Sequence, residues 1–268
     1  MKIWKLIALL TLLSISVLDA QPLDDIVERR IMKERKVLRY SPMREADIFW
    51  ERRVWRVLDV REKMNLPFIY PRAPFFDLLV ELANQGKIQA YSSEDDRFSL
   101  PLTPEQLEKT LYSIDTIPIP DPNTFEIELK IVKTGIYYED IKRFRIKELW
   151  YFDEARSSLQ VRILGIAPLK EVYGENGNFR YEQPLFWVYY PSLREHLARE
   201  KLYMTANDAS LMSWEDLFEM RFFASSIYKS SNVLDYRIQD NYQGIEALLE
   251  ADKLKEEIRQ FEHDLWSY

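Results

Sequence analysis

The residues able to do chemistry are few in kind. The 268-residue chain has two histidines and no cysteine, which removes thiolate nucleophiles, thiolate metal sites and disulfides, together with the lipid-modified cysteine of a lipoprotein. His196 and Glu200 stand four apart in a stretch expected to be helical and would face one ligand. Zinc catalysis, however, needs a third protein ligand and an open position, and His263 belongs to a different segment. A solvated His–Glu helix pair is the simpler reading. Two acidic clusters, Glu94-Asp95-Asp96 and Glu139-Asp140, lie in a chain rich in aromatic residues and so suggest a glycan hydrolase, whose two carboxyl groups must flank the scissile bond at a set separation. Adjacent sequence positions do not specify that separation, and in a chain with 44 acidic residues such clusters usually solvate loops. No HExxH, Gly-x-Ser-x-Gly, Walker or dinucleotide-binding pattern occurs, and the six glycines are scattered singly rather than gathered to cradle a phosphate. No catalytic residue, metal or cofactor is therefore expected. A periplasmic glycan hydrolase using paired carboxylates is the enzymatic alternative, and a free periplasmic small-ligand binding protein is a third reading.

The elements that would position any site begin after residues 1–20. Lys2 and Lys5 precede a run of about a dozen mostly apolar residues from Leu6 to Val17, the pattern of a secretory signal peptide, so the mature protein is expected to start near Gln21. A membrane span needs roughly 20 apolar residues, and no later segment reaches that length without charges; direct membrane insertion is not expected. The formal net charge of −7 makes nucleic acid a poor partner. Sixteen tyrosines and seven tryptophans exceed what a small core needs, and such rings are enriched where proteins meet.

Residues 21–44 form a charged arm with seven bases and four acids, too poor in apolar residues to fold by itself. From Glu45 to Asn65 the spacing predicts a helix, with Trp50, Val54, Val57 and Leu58 on one stripe. On that helix Trp50 would pack inside and Trp55, about 140° away, would face a partner. A second helix is expected from Pro74 to Gly86 and a short strand over Lys87–Tyr91. A third helix is opened by the capping-box pattern Thr103-Pro104-Glu105-Gln106, with Leu107, Leu111 and Ile114 as its buried stripe. The proline-rich stretch 115–124 reads as a linker within a core domain spanning 45–240.

Beyond it the period becomes two. Phe125 to Ile131 alternates, and Phe144 to Phe152 and Leu159 to Ile163 pair around a turn at 153–158. A further hairpin turns at Asn176-Gly177, and its apolar return strand runs through Leu185–Tyr190. A Ser192/Glu195 box would cap a helix over Leu193–Tyr203, and Ser213 would open one reaching about Tyr228. Ala247, Ala251, Leu254, Ile258, Phe261 and Leu265 form a narrow seam on a last helix over 245–268. Helices before and after a run of antiparallel strands predict an α+β fold: a central antiparallel sheet, an N-terminal arm and a C-terminal helix.

Five dispersed stretches resemble the GldN/PorN family of the Bacteroidetes. They are Asp47-Ile48-Phe49-Trp50-Glu51-Arg52-Arg53-Val54-Trp55-Arg56, Leu66-Pro67-Phe68, Pro101-Leu102-Thr103, the run from Ile136 to Phe144, and the run from Ser213 to Phe223. The resemblance implies a non-enzymatic component of the type IX secretion and gliding motility machinery. It also implies a periplasmic ring at the inner face of the outer membrane, self-association, a GldK/PorK-like lipoprotein partner and contact with the periplasmic region of a GldM/PorM-like motor protein.

The interface residues expected from the sequence are Trp55, the basic Arg29, Arg30 and Lys33 of the arm, and Leu254, Ile258, Phe261 and Leu265 of the last seam. The arm is basic, whereas residues 245–268 hold seven acids against three bases. Ends of opposite charge suit head-to-tail contacts, which can close into rings.

Overall fold

The chain is described here by a computed structural model covering residues 30–120, 127–174, 176–204 and 210–266. Residues 1–20, Arg29 and the centre of the expected linker fall outside them, as do the side chains of residues 113–133 and of Leu265.

After a short helix α1 (Arg30–Lys33) come β1 (Ile48–Asp59), α2 (Phe75–Asn84), β2 (Ala90–Tyr91), α3 (Pro104–Leu111), β3 (Tyr112–Pro120), β4 (Ile127–Gly135), β5 (Ile141–Asp153), β6 (Ser158–Tyr173), β7 (Phe179–Pro184) and β8 (Trp187–Tyr189). Then follow α4 (Tyr190–Leu197), α5 (Trp214–Glu219), β9 (Ser226–Ser230), α6 (Ile238–Asn241) and the 22-residue α7 (Ile245–Trp266). Seven strands make one antiparallel sheet in the order β2-β8-β6-β5-β1-β9, with β7 also paired to β6; β3 and β4 pair as a separate ribbon. The fold class is α+β, as the element pattern predicts.

Side chains alternate between the two faces of a strand, and here the faces have different fates. One face carries Leu58 and Val54 of β1 with Phe144 and Ile146 of β5. Its Leu58 end packs under α2, α4 and α5 around Phe68, Phe75, Trp214 and Phe218. Its Val54 end packs under α7, through Ala251 and Ile258, with Ile227 and Ile238 beside them. Between the two clusters sit Arg56 and Glu148, buried charges at 6% and 0% exposure. On the opposite face the cluster of Trp55, Ala167 and Trp187 includes no helix residue, and the loop after β2 and residues 231–237 after β9 border it.

Residues 48–59 are a strand, not the helix expected over 45–65. The reason lies in its two covered faces. Trp55 and Val57 are largely hidden on one face, while Val54, Arg56 and Leu58 are buried on the other, so apolar residues fall on both and the alternation that marks a half-buried strand is lost. Trp50 and Trp55, five apart, therefore point to opposite faces. Trp50 is half-buried and stacks on Phe261 at 4.6 Å between ring centroids; Trp55 is 6% exposed, so it is not the open surface ring that a helix would have made it.

Local signals survive better. Thr103 and Gln106 make the reciprocal capping box of α3, and Ser213 makes one with Asp216 at the start of α5. The expected stripe ends early, because α3 stops at Leu111 and Ile114 lies in β3, which also takes in part of the proline-rich stretch. Helix α4 begins three residues before Leu193, at Tyr190, where Pro191 fits the first turn; the Ser192 hydroxyl is then inside the helix and donates to the Tyr189 carbonyl at 2.8 Å. The return strand of the second hairpin is β7, and the buried Leu185 and Phe186 separate it from β8. Helix α5 ends at Glu219 rather than near Tyr228. Arg221 takes a left-handed φ of 56°, Phe222 N–H donates to the Leu217 carbonyl at 2.8 Å, and this six-to-one closure turns the chain into β9.

Candidate functional site

The described part of the arm, residues 30–44, packs against its own chain. Met32 is buried, Arg35 pairs with Asp216 at 2.5 Å, and the Tyr40 ring lies between the guanidinium groups of Arg194 and Arg162, 3.9 and 4.7 Å from their carbon atoms. The Tyr40 hydroxyl donates to Glu219 at 2.7 Å. Burial raises its pKa, an effect strengthened by the Glu219 hydrogen bond. Arg194 continues the network to Glu215 at 2.7 Å. Arg30 and Lys33 stand on α1. Ile31 and Leu38 point to solvent at 71% and 85% exposure.

The C-terminal seam is likewise occupied. Ile258 is buried, Leu254 packs beside it against the sheet, and Phe261 rests on Trp50. A period of about 3.6 identifies a buried face without saying what covers it. The side of α7 left open is the other one: Ile245, Leu248 and Leu249 share a helical face and are 76%, 60% and 64% exposed. Just before them Val233, Leu234, Tyr236 and Tyr242 are also exposed, and these four line a groove with Leu254 and Glu250. Scattered exposed apolar residues are ordinary, whereas a concentration like this one marks a contact surface.

On the helix-free face lies a cavity of about 770 Å³. Trp55 and Lys147 are cross-strand partners at its floor, and Arg145 is two residues along β5, so it shares their face. Two β-bulges aim further residues inward. Tyr228 is the extra residue of β9 between the Trp55–Lys229 and Arg56–Ile227 pairs, and Leu164 is the extra residue of β6 between the pairs of Lys147 with Gly165 and Glu148 with Ile163; both line the cavity. Bulges re-aim side chains in this way next to many functional sites.

The loop after β2 forms the rim. Asp96 accepts from the Trp55 indole at 2.6 Å and pairs with Lys147 at 3.3 Å, and Asp95 accepts from Ser99 at 2.7 Å. Burial pushes the Lys147 ammonium below its usual range while Asp96 opposes the shift. Burial pushes the Tyr228 hydroxyl up to about 12 against the nearby Arg145 and Arg237 charges. The loop is held by Phe98, which adopts a left-handed φ of 61° and lies directly on Gly165, where a Cβ would approach its ring to 2.5 Å. Replacing Gly165 by Val is expected to cost about 1–3 kcal/mol through overpacking and to lift the loop. A thermal melt unchanged from the parent would show that Phe98 is not held there.

The residues that the sequence offers for chemistry do not converge in space on a reacting centre. Glu200 lies beyond the end of α4 but stays near enough to His196 on it for that charge, with Lys87, to oppose the rise in its pKa that burial causes, and no further ligand or reacting group joins the pair among the described residues. Asp140 caps its own turn by accepting from the Tyr137 amide at 3.0 Å, and Asp95 and Asp96 hold the rim loop. Among the described residues no group of three His, Cys, Asp or Glu side chains could hold a metal ion, and no helix is long and apolar enough to cross a membrane. The basic face of β5 is legible in the residue pattern alone. Arg143, Arg145 and Lys147 alternate with Phe144 and Ile146, a period-two signal that places three bases on one side.

The model of the family described as gliding motility associated protein GldN matches residues 43–267. The chain belongs to the GldN family. It is thus a protein associated with gliding motility and the linked secretion machinery. The matched span of this GldN-family chain runs from before β1 through the end of α7, so it takes in the sheet, both apolar clusters and the cavity. No curated protein matches it.

Proposed function

We propose that this GldN-family protein is a non-catalytic structural component of a periplasmic ring of the type IX secretion system, supporting protein secretion and, where present, gliding motility. The observation that carries the reading, beyond family membership, is the concentration of seven exposed large apolar side chains between Val233 and Leu249. Such a surface suits a part built into a larger assembly. The open stripe of α7 lies among the exposed acids Glu246 and Asp252, while the arm offers exposed Ile31 and Leu38 among bases. The two surfaces are complementary in charge and each is apolar at its centre. Contacts between them in successive copies would run head to tail and close a ring; charge would set register and encounter rate, and apolar burial would supply affinity.

What supports a periplasmic location is the secretory signal-peptide pattern of residues 1–20. With no cysteine in the chain to carry a lipid, its association with the inner face of the outer membrane is through a GldK/PorK-like lipoprotein, and its link to the inner-membrane motor is through a GldM/PorM-like periplasmic region. Removing the lipoprotein is expected to release the protein from outer-membrane vesicles or deplete it. Undiminished retention on vesicles from that strain would contradict the anchoring.

A further inference from the structure

We propose that the cavity on the helix-free face of the sheet binds a carboxylate attached to an apolar or aromatic body. Two guanidinium groups face this cavity without an ion-pair partner among the described residues: Arg145, on the sheet floor, and Arg237, on the rim. Arg145 lies 4.5 Å from the Tyr228 ring centre, a contact that orients the planar fork, and its Nε is buried with no hydrogen-bond partner. A buried donor left unmatched is costly, and its natural complement is an oxygen acceptor brought by a ligand. Arg237 acts on Arg145 as a like charge, and a shared anion would relieve that repulsion.

The surrounding charges select the kind of anion. The other bases of the lining are engaged: Lys147 by Asp96 at 3.3 Å, Lys229 by Asp235 at 2.7 Å, Arg97 by Asp95 at 4.0 Å and Arg53 by Glu51 at 3.9 Å. With six bases against four acids in the lining, the excess is small, and the carboxylates of Glu94, Asp96 and Asp235 repel a multiply charged group. A single carboxylate, gripped by the fork geometry of arginine, fits better than a phosphate. Trp55, Phe98 and Tyr189 supply ring surface for the body that carries it. The volume suits a ligand of ordinary small-molecule size or one or two side chains of a protein segment. This site opens on the sheet face opposite α7, and Ser231, Asn232 and Arg237 at its rim also line the groove beside α7.

The test is calorimetric titration of the purified full-length protein with 3-phenylpropionate, its neutral amide, phenyl phosphate, and the blocked dipeptide acetyl-Trp-Glu-amide. Saturable binding of at least one carboxylate probe is expected, with the neutral amide at least about tenfold weaker and phenyl phosphate no tighter than the carboxylates. Arg237→Gln, at an exposed position, should weaken the carboxylate probe about tenfold, as should Arg145→Gln in a protein whose thermal melt shows it folded, the size expected for a lost charge-assisted hydrogen bond. Tighter binding of the dipeptide would assign the carboxylate to a protein segment, and tighter binding of phenylpropionate to a free organic acid. Absence of saturable binding by both carboxylates, unchanged binding by Arg237→Gln, or phenyl phosphate binding tenfold tighter would overturn the proposal.

Discussion

Replacing Glu148 by Ala is expected to lower the unfolding free energy by about 3–5 kcal/mol, the usual cost of removing one partner of a buried ion pair. The carboxylate has no exposure and accepts from the Trp150 indole at 2.9 Å, while Arg221 pairs with it at 2.9 Å. Arg56 is also buried; it donates to the Ser225 hydroxyl at 2.8 Å and carbonyl at 3.1 Å. Burial pushes the Arg56 guanidinium below its usual range, and Glu148 is the charge that opposes this shift. Without Glu148 the two arginines face each other across the gap between the two apolar clusters. Arg221, 30% exposed at its side chain, can turn to solvent, whereas Arg56 cannot. Loss of Arg221 should therefore cost less than loss of Glu148. The Arg221 backbone, held left-handed at φ 56°, links the same network to the end of α5. Denaturant unfolding with an unchanged slope and a lowered midpoint would report the effect. A loss below about 1 kcal/mol for Glu148→Ala would contradict the role given to this pair.

The second large effect is expected on assembly rather than on folding. Changing Leu248 and Leu249 together to Asp places two charges on the open face of α7, at positions 60% and 64% exposed. Surface substitutions of this kind shift stability by only about 0.5 kcal/mol each, so the purified protein should melt close to the parent. In the proposed ring contact the same charges would be buried against a neighbouring copy, where an unpaired charge is strongly disfavoured. Assembly should be lost. Ile258 offers the contrast: it is 3% exposed within the chain, so Ile258→Ala acts on folding first. A Leu248→Asp, Leu249→Asp protein that stays folded and assembles normally would exclude this stripe from the interface.

How much of this was legible in the sequence depended on how local each signal was. The capping boxes at Thr103 and Ser213 need only four residues, and the structure forms both. The β5–β6 hairpin was legible because Phe144, Ile146 and Phe152 alternate on a face with helices above it. Helix α7 has the bounds its periodicity predicts at its start and nearly at its end. The β1 segment was misread because a strand covered on both faces loses its alternation, and because an inward arginine, Arg56, looks like a surface residue until Ser225 and Glu148 are seen beside it. The same error moved Trp55 from a buried, hydrogen-bonded position to an imagined surface. The cavity was out of reach for a different reason. Its parts come from β1, β5, β6, β8, β9 and the segments after β2 and β9, and two of them, Tyr228 and Leu164, enter only through bulges that leave no mark in residue type.

The ring-component reading is tested most directly by the native size of the protein extracted gently from cell envelopes. The reading predicts that it migrates in a particle far larger than the 32.2 kDa chain, together with a lipoprotein, and that the particle is lost when Leu248 and Leu249 are changed to Asp. Recovery of the unmodified protein from intact envelopes as a free monomer, with no lipoprotein accompanying it, would contradict it.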